Sequence, residues 1–200
     1  MELVAATRNK DKLREIKELL KGLKVDVFSL DSFKDAPEVI EDGKTLKDNA
    51  VKKAIEVSKF LKCLAVADDS GLEVEYLNGE PGVYSARFSG KNATYKSNNE
   101  KLLNLLKNAP PEKRNACFKC VIAVADKGKV IGVAEGKCEG KIGLESKGEN
   151  GFGYDPVFTP AGYKKTFAEM GPGEKNKISH RSMALAQARK IIAAYLSPCL

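Results

Sequence analysis

Two adjacent aspartates, Asp68 and Asp69, directly follow Cys63–Ala67, an apolar segment that is predicted to form a short strand. Because α/β proteins bind ligands at the carboxyl ends of strands, carboxylates at this position can meet a substrate. With Glu41, which lies just before Gly43, the pair could hold one Mg²⁺, an ion that takes few protein carboxylates and completes its shell with water and phosphate oxygens. A carboxylate here could also deprotonate an attacking water. The alternative is an ordinary turn, since Asp-Asp-Ser-Gly has turn composition.

The two aspartates are not expected to share one role. If the backbone is extended there, neighbouring side chains point to opposite faces, so one can be ligand and base while the other supports it. Asn49 and Lys53 lie four residues apart in a predicted helix and therefore share one face. That face can look toward bound phosphates.

A second candidate site is the segment Thr7–Lys12, between a predicted strand at residues 2–6 and a predicted helix from about Lys10 to Lys21. Asn9 is the predicted N-cap of this helix, and the N–H groups of a first turn carry partial positive charge that suits phosphate. Thr7 and Asn9 could add hydrogen bonds, and Lys12 a full charge. The glycines of a Walker A loop are absent. The alternative is an ordinary capped helix with a surface lysine.

A third candidate region lies toward the carboxyl end. The segment Gly151–Pro156 places two aromatic side chains among glycines, and an aromatic ring can stack on a nucleobase where glycine lets it approach the backbone. His180 and Arg181 follow Ser179, the predicted start of the last helix. Cations are disfavoured in a first helical turn, so an anionic or carbonyl-bearing ligand would explain them. The alternative is a flexible polar loop.

The elements that must position these residues alternate between strands and helices early in the chain and include a hairpin in the middle. This pattern predicts an α/β fold with a mixed sheet. The further predicted elements are a strand at 24–30, a helix to about Leu61 opened by a Thr45–Asp48 capping box, a strand at Leu72–Tyr76, a helix to Asn108 opened by a Ser97–Glu100 box, a hairpin of Asn115–Asp126 and Lys129–Glu139, and a last helix from about Ser179 to Leu196.

Composition sets broad limits on the function. The 34 basic and 27 acidic residues give a net charge of +7, which favours anionic partners such as nucleotides, nucleic acids or membrane surfaces without choosing among them. The amino terminus starts with a strand-like segment and lacks the pattern of a signal peptide, so a cytoplasmic protein is expected. Abundant solvated lysines on helix faces would explain most of the charge.

The five cysteines do not suggest a disulfide framework, because their number is odd and a cytoplasmic location is expected. Cys117 and Cys120 form a single CxxC within a predicted strand, where positions three apart point to opposite faces. His180 is the only histidine. A structural zinc site is therefore not expected, and packing of Cys117 or Cys120 in the core is the better interpretation.

Six ordered motifs together are far more specific than any one of them. They run from residue 3 to about 190 and are Thr7-x-Asn9-x-x-Lys12, Glu41-x-Gly43-x-Thr45-x-x-x-Asn49-Ala50, Ala67-Asp68-Asp69-Ser70-Gly71-Leu72, Gly79-x-Pro81-Gly82-Val83-Tyr84-Ser85-Ala86-Arg87, Gly151-Phe152-Gly153-Tyr154-Asp155-Pro156 and Ile178-Ser179-His180-Arg181. This series resembles the inosine triphosphate pyrophosphatase family, also called XTP/dITP diphosphatases. Leu46 and Asp48 depart from the family pattern, in which an aromatic residue and Glu are common.

The resemblance implies one pyrophosphatase domain over residues 1–200, an elongated mixed sheet flanked by helices, and two lobes with a central nucleotide cleft. It also implies a homodimer, a purine nucleoside triphosphate as partner, and no nucleic-acid or membrane partner. Glu41 and Asp69 are the implied Mg²⁺ ligands, Asp69 the implied base, and Asp68 and Asn49 their possible supports. The implied substrate contacts are Thr7, Arg8, Asn9, Lys10, Asp11, Lys12, Lys53, Ser70, Phe152, Gly153, Tyr154, Asp155, Lys175, His180 and Arg181.

The reaction expected from this resemblance is hydrolysis of ITP, dITP or XTP to the monophosphate and pyrophosphate. Arg181 could donate a hydrogen bond to the 6-oxo group of the base, whereas adenine would leave that donor unpaired. Two alternatives remain at this point. A basic nucleic-acid-binding module would bind with a steep salt dependence, and a nucleotide sensor would bind without hydrolysis.

Overall fold

The computed structural model describes residues 1–197, so Cys199 lies outside the described residues. The strands are β1 (Glu2–Ala5), β2 (Asp26–Ser29), β3 (Leu64–Val74), β4 (Asn115–Asp126), β5 (Lys129–Ile142) and β6 (Phe158–Pro160). The α-helices are α1 (Lys10–Leu20), α2 (Leu46–Leu61), α3 (Tyr95–Leu105), α4 (Pro172–Lys175) and α5 (His180–Leu196). In the same residues, no helix is long and apolar enough to cross a membrane.

The strands between residues 1 and 197 form one six-stranded sheet with the order β2-β1-β3-β4-β5-β6. β1 pairs in parallel with both β2 and β3, and β5 pairs antiparallel with β6. The central strand β3 places Leu64–Asp69 out of solvent without a break. Parallel strands at one side and antiparallel strands at the other confirm the predicted α/β fold with a mixed sheet.

The chain forms two compact units, each with its own hydrophobic core. Within the described residues, the first unit comprises residues 1–69, 120–136 and 181–197, and the second comprises residues 70–119 and 137–180. Leu3, Ile16 and Ile122 are fully buried in the core of the first unit. Phe158 and Phe167 are fully buried in the core of the second.

The predicted starts of two helices are confirmed by their N-caps. The Asn9 side chain accepts hydrogen bonds from the first turn of α1, and Thr45 and Asp48 form both halves of a capping box at α2. The predicted start of α3 was wrong, because Thr94 is its N-cap and Ser97 completes the capping box, so α3 begins three residues earlier than predicted. The Ser97 hydroxyl can do the same work as a glutamate, since it reaches back to the Thr94 backbone N–H.

The acidic segment is not a turn. Two separate strands, Cys63–Ala67 and Leu72–Tyr76, were expected around it, but β3 runs without interruption from Leu64 to Val74. Asp68 and Asp69 therefore have extended backbone in the middle of a strand, and their side chains point to opposite faces. Turn composition is a local preference, which pairing within a sheet overrides.

The predicted hairpin between β4 and β5 is confirmed, although β5 continues to Ile142. Lys127 and Gly128, which connect the strands, both have positive φ, as a two-residue type I′ turn requires. Four of the cysteines lie in the described part of the chain as free thiols. Cys120 packs in the core of the first unit, as expected, whereas Cys117 is half-buried.

Candidate active site

Strand β3 directs its two aspartates to different partners in the first unit. The Asp68 carboxylate lies 3.1 Å from the Lys12 ammonium and accepts a 3.2 Å hydrogen bond from Arg181 Nε. The Asp69 carboxylate accepts a 3.0 Å hydrogen bond from the Asn49 side-chain amide. Because neighbouring side chains of a strand alternate, one strand can serve two different groups at adjacent positions.

Asp68 is held as a permanently charged group. Asp68 is 1% exposed, and burial alone would raise its pKa, but Lys12, Arg181 and Lys53 together hold the pKa of Asp68 well below its usual range. A carboxylate with a lowered pKa is a weak base. Asp68 is therefore suited to positioning cations rather than to accepting a proton.

Arg181 connects Asp68 to helix α1. Its Nη1 donates a 2.6 Å hydrogen bond to the Glu15 carboxylate, while its Nε contacts Asp68. Arg181 is fully enclosed, and Glu15 is buried as well. These two carboxylates explain a cation in the first turn of α5, a position that the sequence had led us to attribute to a bound ligand.

Asp69 has the opposite character. Burial raises the pKa of Asp69 above its usual value, Lys53 lowers it in part, and the charge of Glu41 raises it again. Asn49 fixes the carboxylate, since its Nδ2 donates to Asp69 while its Oδ1 accepts from the Gly43 N–H at 2.8 Å. A carboxylate with a raised pKa binds a proton more tightly, which suits a general base.

Lys53 links Glu41 to strand β3. Its ammonium lies 2.5 Å from the Glu41 carboxylate, donates to the Asp68 carbonyl at 2.7 Å and lies 3.8 Å from the Asp69 carboxylate. Burial favours the neutral amine, but the three carboxylates around it raise the pKa of Lys53. Lys53 is therefore a cation in the site. The predicted shared face of Asn49 and Lys53 on α2 is present, because both reach Asp69.

Glu41 and Asp69 form the pair that fits a divalent cation. Both carboxylates lie within 4 Å of the Lys53 ammonium, and the charge of Glu41 raises the pKa of Asp69, a repulsion that a divalent cation would relieve. No group of three or more His, Cys, Asp or Glu side chains with metal-binding geometry occurs among residues 1–197. A two-carboxylate site agrees with Mg²⁺, which takes its remaining ligands from water and phosphate.

The Thr7–Lys12 segment is a capped helix start with cationic side chains. Asn9 Oδ1 accepts hydrogen bonds from the N–H groups of Asp11 and Lys12, so Asn9 already uses two of the amides that were expected to face phosphate. The Thr7 hydroxyl accepts from the Asn9 N–H. Arg8 is paired with Asp31, an exposed carboxylate of the same unit. The remaining members differ in position, since Lys10 is exposed, Asp11 pairs with Arg14, and Lys12 reaches Asp68.

The second unit contains the glycine-rich loop at residues 151–155. The Asp155 carboxylate accepts from the Phe152 N–H at 2.9 Å and from the Lys175 ammonium at 2.6 Å. Gly151 has φ +75°, and a Cβ at this position would overlap the Asp155 carboxylate. The Lys175 ammonium lies 4.8 Å from the centre of the Phe152 ring. The buried ion pair therefore fixes the loop and places a cation over the aromatic ring that was predicted to stack on a base.

Other predicted residues of the second unit lie deeper. The Tyr154 ring packs in the core and its hydroxyl donates to the Ser85 carbonyl at 2.9 Å, so its side chain supports the loop from inside. His180 is buried and stacks on Phe118, with ring centroids 4.5 Å apart and planes 6° from parallel. Ser70 is half-buried and follows Asp69 directly in β3.

Comparison with known proteins places these residues in a family. A protein-family model described as the Ham1 family matches residues 3–191. The chain belongs to the Ham1 family. The resemblance that the six motifs predicted is therefore confirmed, over a span that agrees with the predicted one.

Ham1 relatives cover the chain almost completely. A dITP/XTP pyrophosphatase of Desulforamulus reducens is 53% identical over 192 residues, which are 96% of each chain. A solved structure of a HAM1 protein from Coxiella burnetii is 40% identical with a TM-score of 0.88, covering 97% of this chain and 99% of that one. The Staphylococcus aureus Ham1 protein is 37% identical with a TM-score of 0.86, covering 98% and 100%.

Sequence reasoning missed two residues that contact predicted site residues. Glu15 lies on α1 and holds Arg181, which is 166 positions away in the chain. Asn99 lies on α3 and donates to the Gly153 carbonyl. Neither stands in one of the six motifs. Glu15 does lie one helical turn after Asp11, on the side of α1 that is buried, and a carboxylate at a buried helical position is the signal that could have identified it.

Proposed function

We propose that this protein hydrolyses non-standard purine nucleoside triphosphates, namely ITP, dITP and XTP, to the monophosphate and pyrophosphate. The observation that carries this proposal is the convergence of Asp69, Glu41 and Lys53 in the first unit. A base, a pair of carboxylates for a metal ion and a buried cation are the groups that phosphoryl-group hydrolysis needs. Membership of the Ham1 family and the pyrophosphatase relatives support the same reaction.

Glu41 and Asp69 are the proposed ligands of Mg²⁺. When bound, the ion would offset negative charge on the triphosphate and orient it. The chain's own contribution is to place the two carboxylates. Lys53 holds Glu41 from α2, and Asn49 holds Asp69 from the same helix.

Asp69 is the proposed general base. Water attacks the α-phosphorus, its proton moves to an Asp69 carboxylate oxygen, and the bond from the α-phosphorus to the bridging oxygen breaks as pyrophosphate leaves. The raised pKa of Asp69 favours proton uptake, and the lowered pKa of Asp68 disfavours it. This contrast supports Asp69 over Asp68 in the role that the sequence left open between them.

Lys12 and Lys53 are the proposed stabilisers of the charge that develops on the phosphates. Asp68 holds Lys12 from one side, and the carboxylates around Lys53 keep it protonated. Thr7–Lys12 is proposed to bind the triphosphate mainly through its side chains, because the Asp11 and Lys12 amides are used by Asn9.

The second unit is proposed to recognise the base. Phe152 offers an aromatic face, and Lys175 over that ring offers a donor of the kind that a 6-oxo purine accepts. His180, Ser70, Gly153 and Asp155 complete the proposed substrate set. Arg181 binds Asp68 and Glu15, so any contact with the 6-oxo group would be made by a guanidinium already fixed by two carboxylates.

A homodimer is also proposed, and light scattering would measure the oligomeric state.

Pyrophosphate release from ITP, XTP, GTP and ATP, with and without Mg²⁺, tests the function directly. We expect Mg²⁺-dependent release from ITP and XTP, with ATP poorer by orders of magnitude, about 10⁴-fold if one unpaired donor decides the preference. Equal turnover of ATP and ITP would defeat the specificity. Nucleotide binding without turnover would indicate a sensor, and strongly salt-dependent binding of DNA or RNA would indicate a nucleic-acid-binding module.

A further inference from the structure

Helix α3 contacts the Gly151–Asp155 loop at two points. Asn99 Nδ2 donates a 2.9 Å hydrogen bond to the Gly153 carbonyl. The Tyr95 ring, one helical turn earlier, has its centroid 6.0 Å from that of Phe152. Residues four apart share a face of a helix, so both contacts come from one side of α3.

The helix that makes these contacts is firmly anchored within the second unit. Its first turn is closed by the capping box of Thr94 and Ser97. Toward its other end, Leu102 and Leu106 are fully buried in the core of the unit. A contact from this helix therefore fixes the loop relative to the core rather than to another surface segment.

The Asn99 side chain has a polar atom that folding alone does not explain. The side chain is 6% exposed, and within residues 1–197 its Oδ1 accepts no hydrogen bond, although Nδ2 of the same amide is used. A buried acceptor without a partner lowers folding stability. The amide at this position is therefore explained by the hydrogen bond that its Nδ2 donates to the Gly153 carbonyl.

We propose that Asn99 is a positioning residue for recognition of the purine base. Its amide fixes the direction of the Gly153 carbonyl and thereby the path of the loop on either side, where the Phe152 ring and the Asp155 carboxylate are set. The inference rests on the proposed function, because the role concerns the base that this loop is proposed to bind.

Substitution Asn99→Leu tests the role, since leucine has a similar volume and removes both the donor and the buried acceptor. We expect the Kd for inosine monophosphate to rise about 5-fold or more, as loss of one positioning hydrogen bond predicts. The Kd for inorganic pyrophosphate, which probes the phosphate groups, should stay within about 2-fold. The Tm should change little, because loss of the unpaired acceptor offsets loss of the hydrogen bond to Gly153. Calorimetric titration and a thermal melt of the full chain with Mg²⁺ measure all three.

Two further variants make the test specific. Asn99→Asp keeps the shape and loses the donor, so it should weaken binding of inosine monophosphate as Asn99→Leu does, and it serves if the leucine variant does not fold. Asn104→Leu changes an exposed asparagine of the same helix and should leave both Kd values unchanged. In steady-state assays, KM for ITP should rise in the Asn99 variants while kcat is maintained.

Unchanged affinity for inosine monophosphate in folded Asn99 variants would overturn the proposal. An equal loss of affinity for inosine monophosphate and pyrophosphate would also overturn it, because the effect would then be general. Failure of the proposed function looks different, since the wild-type chain would release no pyrophosphate from ITP. A wild-type chain that binds no inosine monophosphate would refute the positioning role as well.

Discussion

The first and second units hold their candidate site residues in place by different kinds of interaction. Around strand β3 the first unit pairs charge with charge. The buried members of this set are Lys53, Asp68, Asp69, Arg181 and Glu15, and the half-buried ones are Glu41 and Lys12. The 151–155 loop of the second unit is held by the buried ion pair Lys175–Asp155, by hydrogen bonds to backbone N–H and carbonyl groups, and by aromatic contacts.

The difference separates chemistry from recognition. Dense charge shifts the pKa values of neighbouring groups in opposite directions, which lets one strand carry a proton acceptor beside a fixed anion. Hydrogen bonds to backbone atoms shift no charges but fix a shape. Variants in the first unit should therefore change turnover or stability strongly, and variants in the loop should change binding.

The largest expected effect is that of Asp69→Asn. Loss of the proposed base should lower kcat for ITP by about 10³-fold, within the range for general bases. The circular dichroism spectrum and the oligomeric state should be those of the wild type. Turnover within a few fold of the wild-type rate would remove Asp69 from the role of base.

Asp68→Asn should show its largest effect in stability. Removing this carboxylate takes one ion-pair partner from the buried Arg181 and also from Lys12. Breaking a buried ion pair lowers the free energy of unfolding by about 3–5 kcal/mol. Urea unfolding with a chelator present measures the change. If Asp68→Asn has the same free energy of unfolding as the wild type, the ion pairs of Asp68 do not stabilise the fold.

The pH dependence of these two variants should have opposite signs. The folded pKa of Asp68 is lowered, so its contribution to the free energy of unfolding is present above the ordinary pKa of about 4 and is lost as the pH falls below it. The folded pKa of Asp69 is raised, so its contribution is present at acidic pH and is lost as the pH rises through the folded value. Metal-free Asp69→Asn should therefore gain stability relative to the wild type at neutral pH, and this gain should disappear in acid. Urea titrations at about pH 7 and about pH 2 measure both, because both contributions change between these values, and a parallel shift would contradict the contrast.

The loop of the second unit offers a matched pair of glycines. Both Gly151 and Gly153 have positive φ, so alanine strains the backbone by about 1 kcal/mol in each case. The Cβ of Gly151→Ala would also overlap the Asp155 carboxylate, whereas that of Gly153→Ala meets no atom of residues 1–197 within 4 Å. Gly151→Ala should raise KM for ITP about 10-fold by displacing Asp155 from Lys175 and Phe152, and Gly153→Ala should raise it far less. Equal KM values would show that the Asp155 contacts do not set the loop for binding.

Local signals predicted some of these features and missed others for a physical reason. The caps at Asn9 and at Thr45–Asp48 depend on residues within one turn, and the shared face of Asn49 and Lys53 follows from helical spacing, so all were visible in the sequence. The continuity of β3 was not, because it depends on the place of β3 in the sheet between β1 and β4, two strands that are distant from it in the chain. The partner of Arg181 on α1 was missed for the same reason, since a contact between residues 15 and 181 leaves no periodic pattern.

The smallest expected effect compares two N-caps, one in each unit. Asn9 caps α1 and Thr94 caps α3, and both helices have 11 residues. Asn9→Ala and Thr94→Ala should each lower the free energy of unfolding by about 1 kcal/mol, because each leaves first-turn N–H groups without their acceptor. Only Asn9 stands in the proposed triphosphate segment, so Asn9→Ala should also weaken pyrophosphate binding a few fold, while Thr94→Ala should leave it unchanged. Since the two losses of stability match, a difference in pyrophosphate affinity reports the position of Asn9 rather than helix fraying. Equal affinities would show that Asn9 does not contribute to pyrophosphate binding.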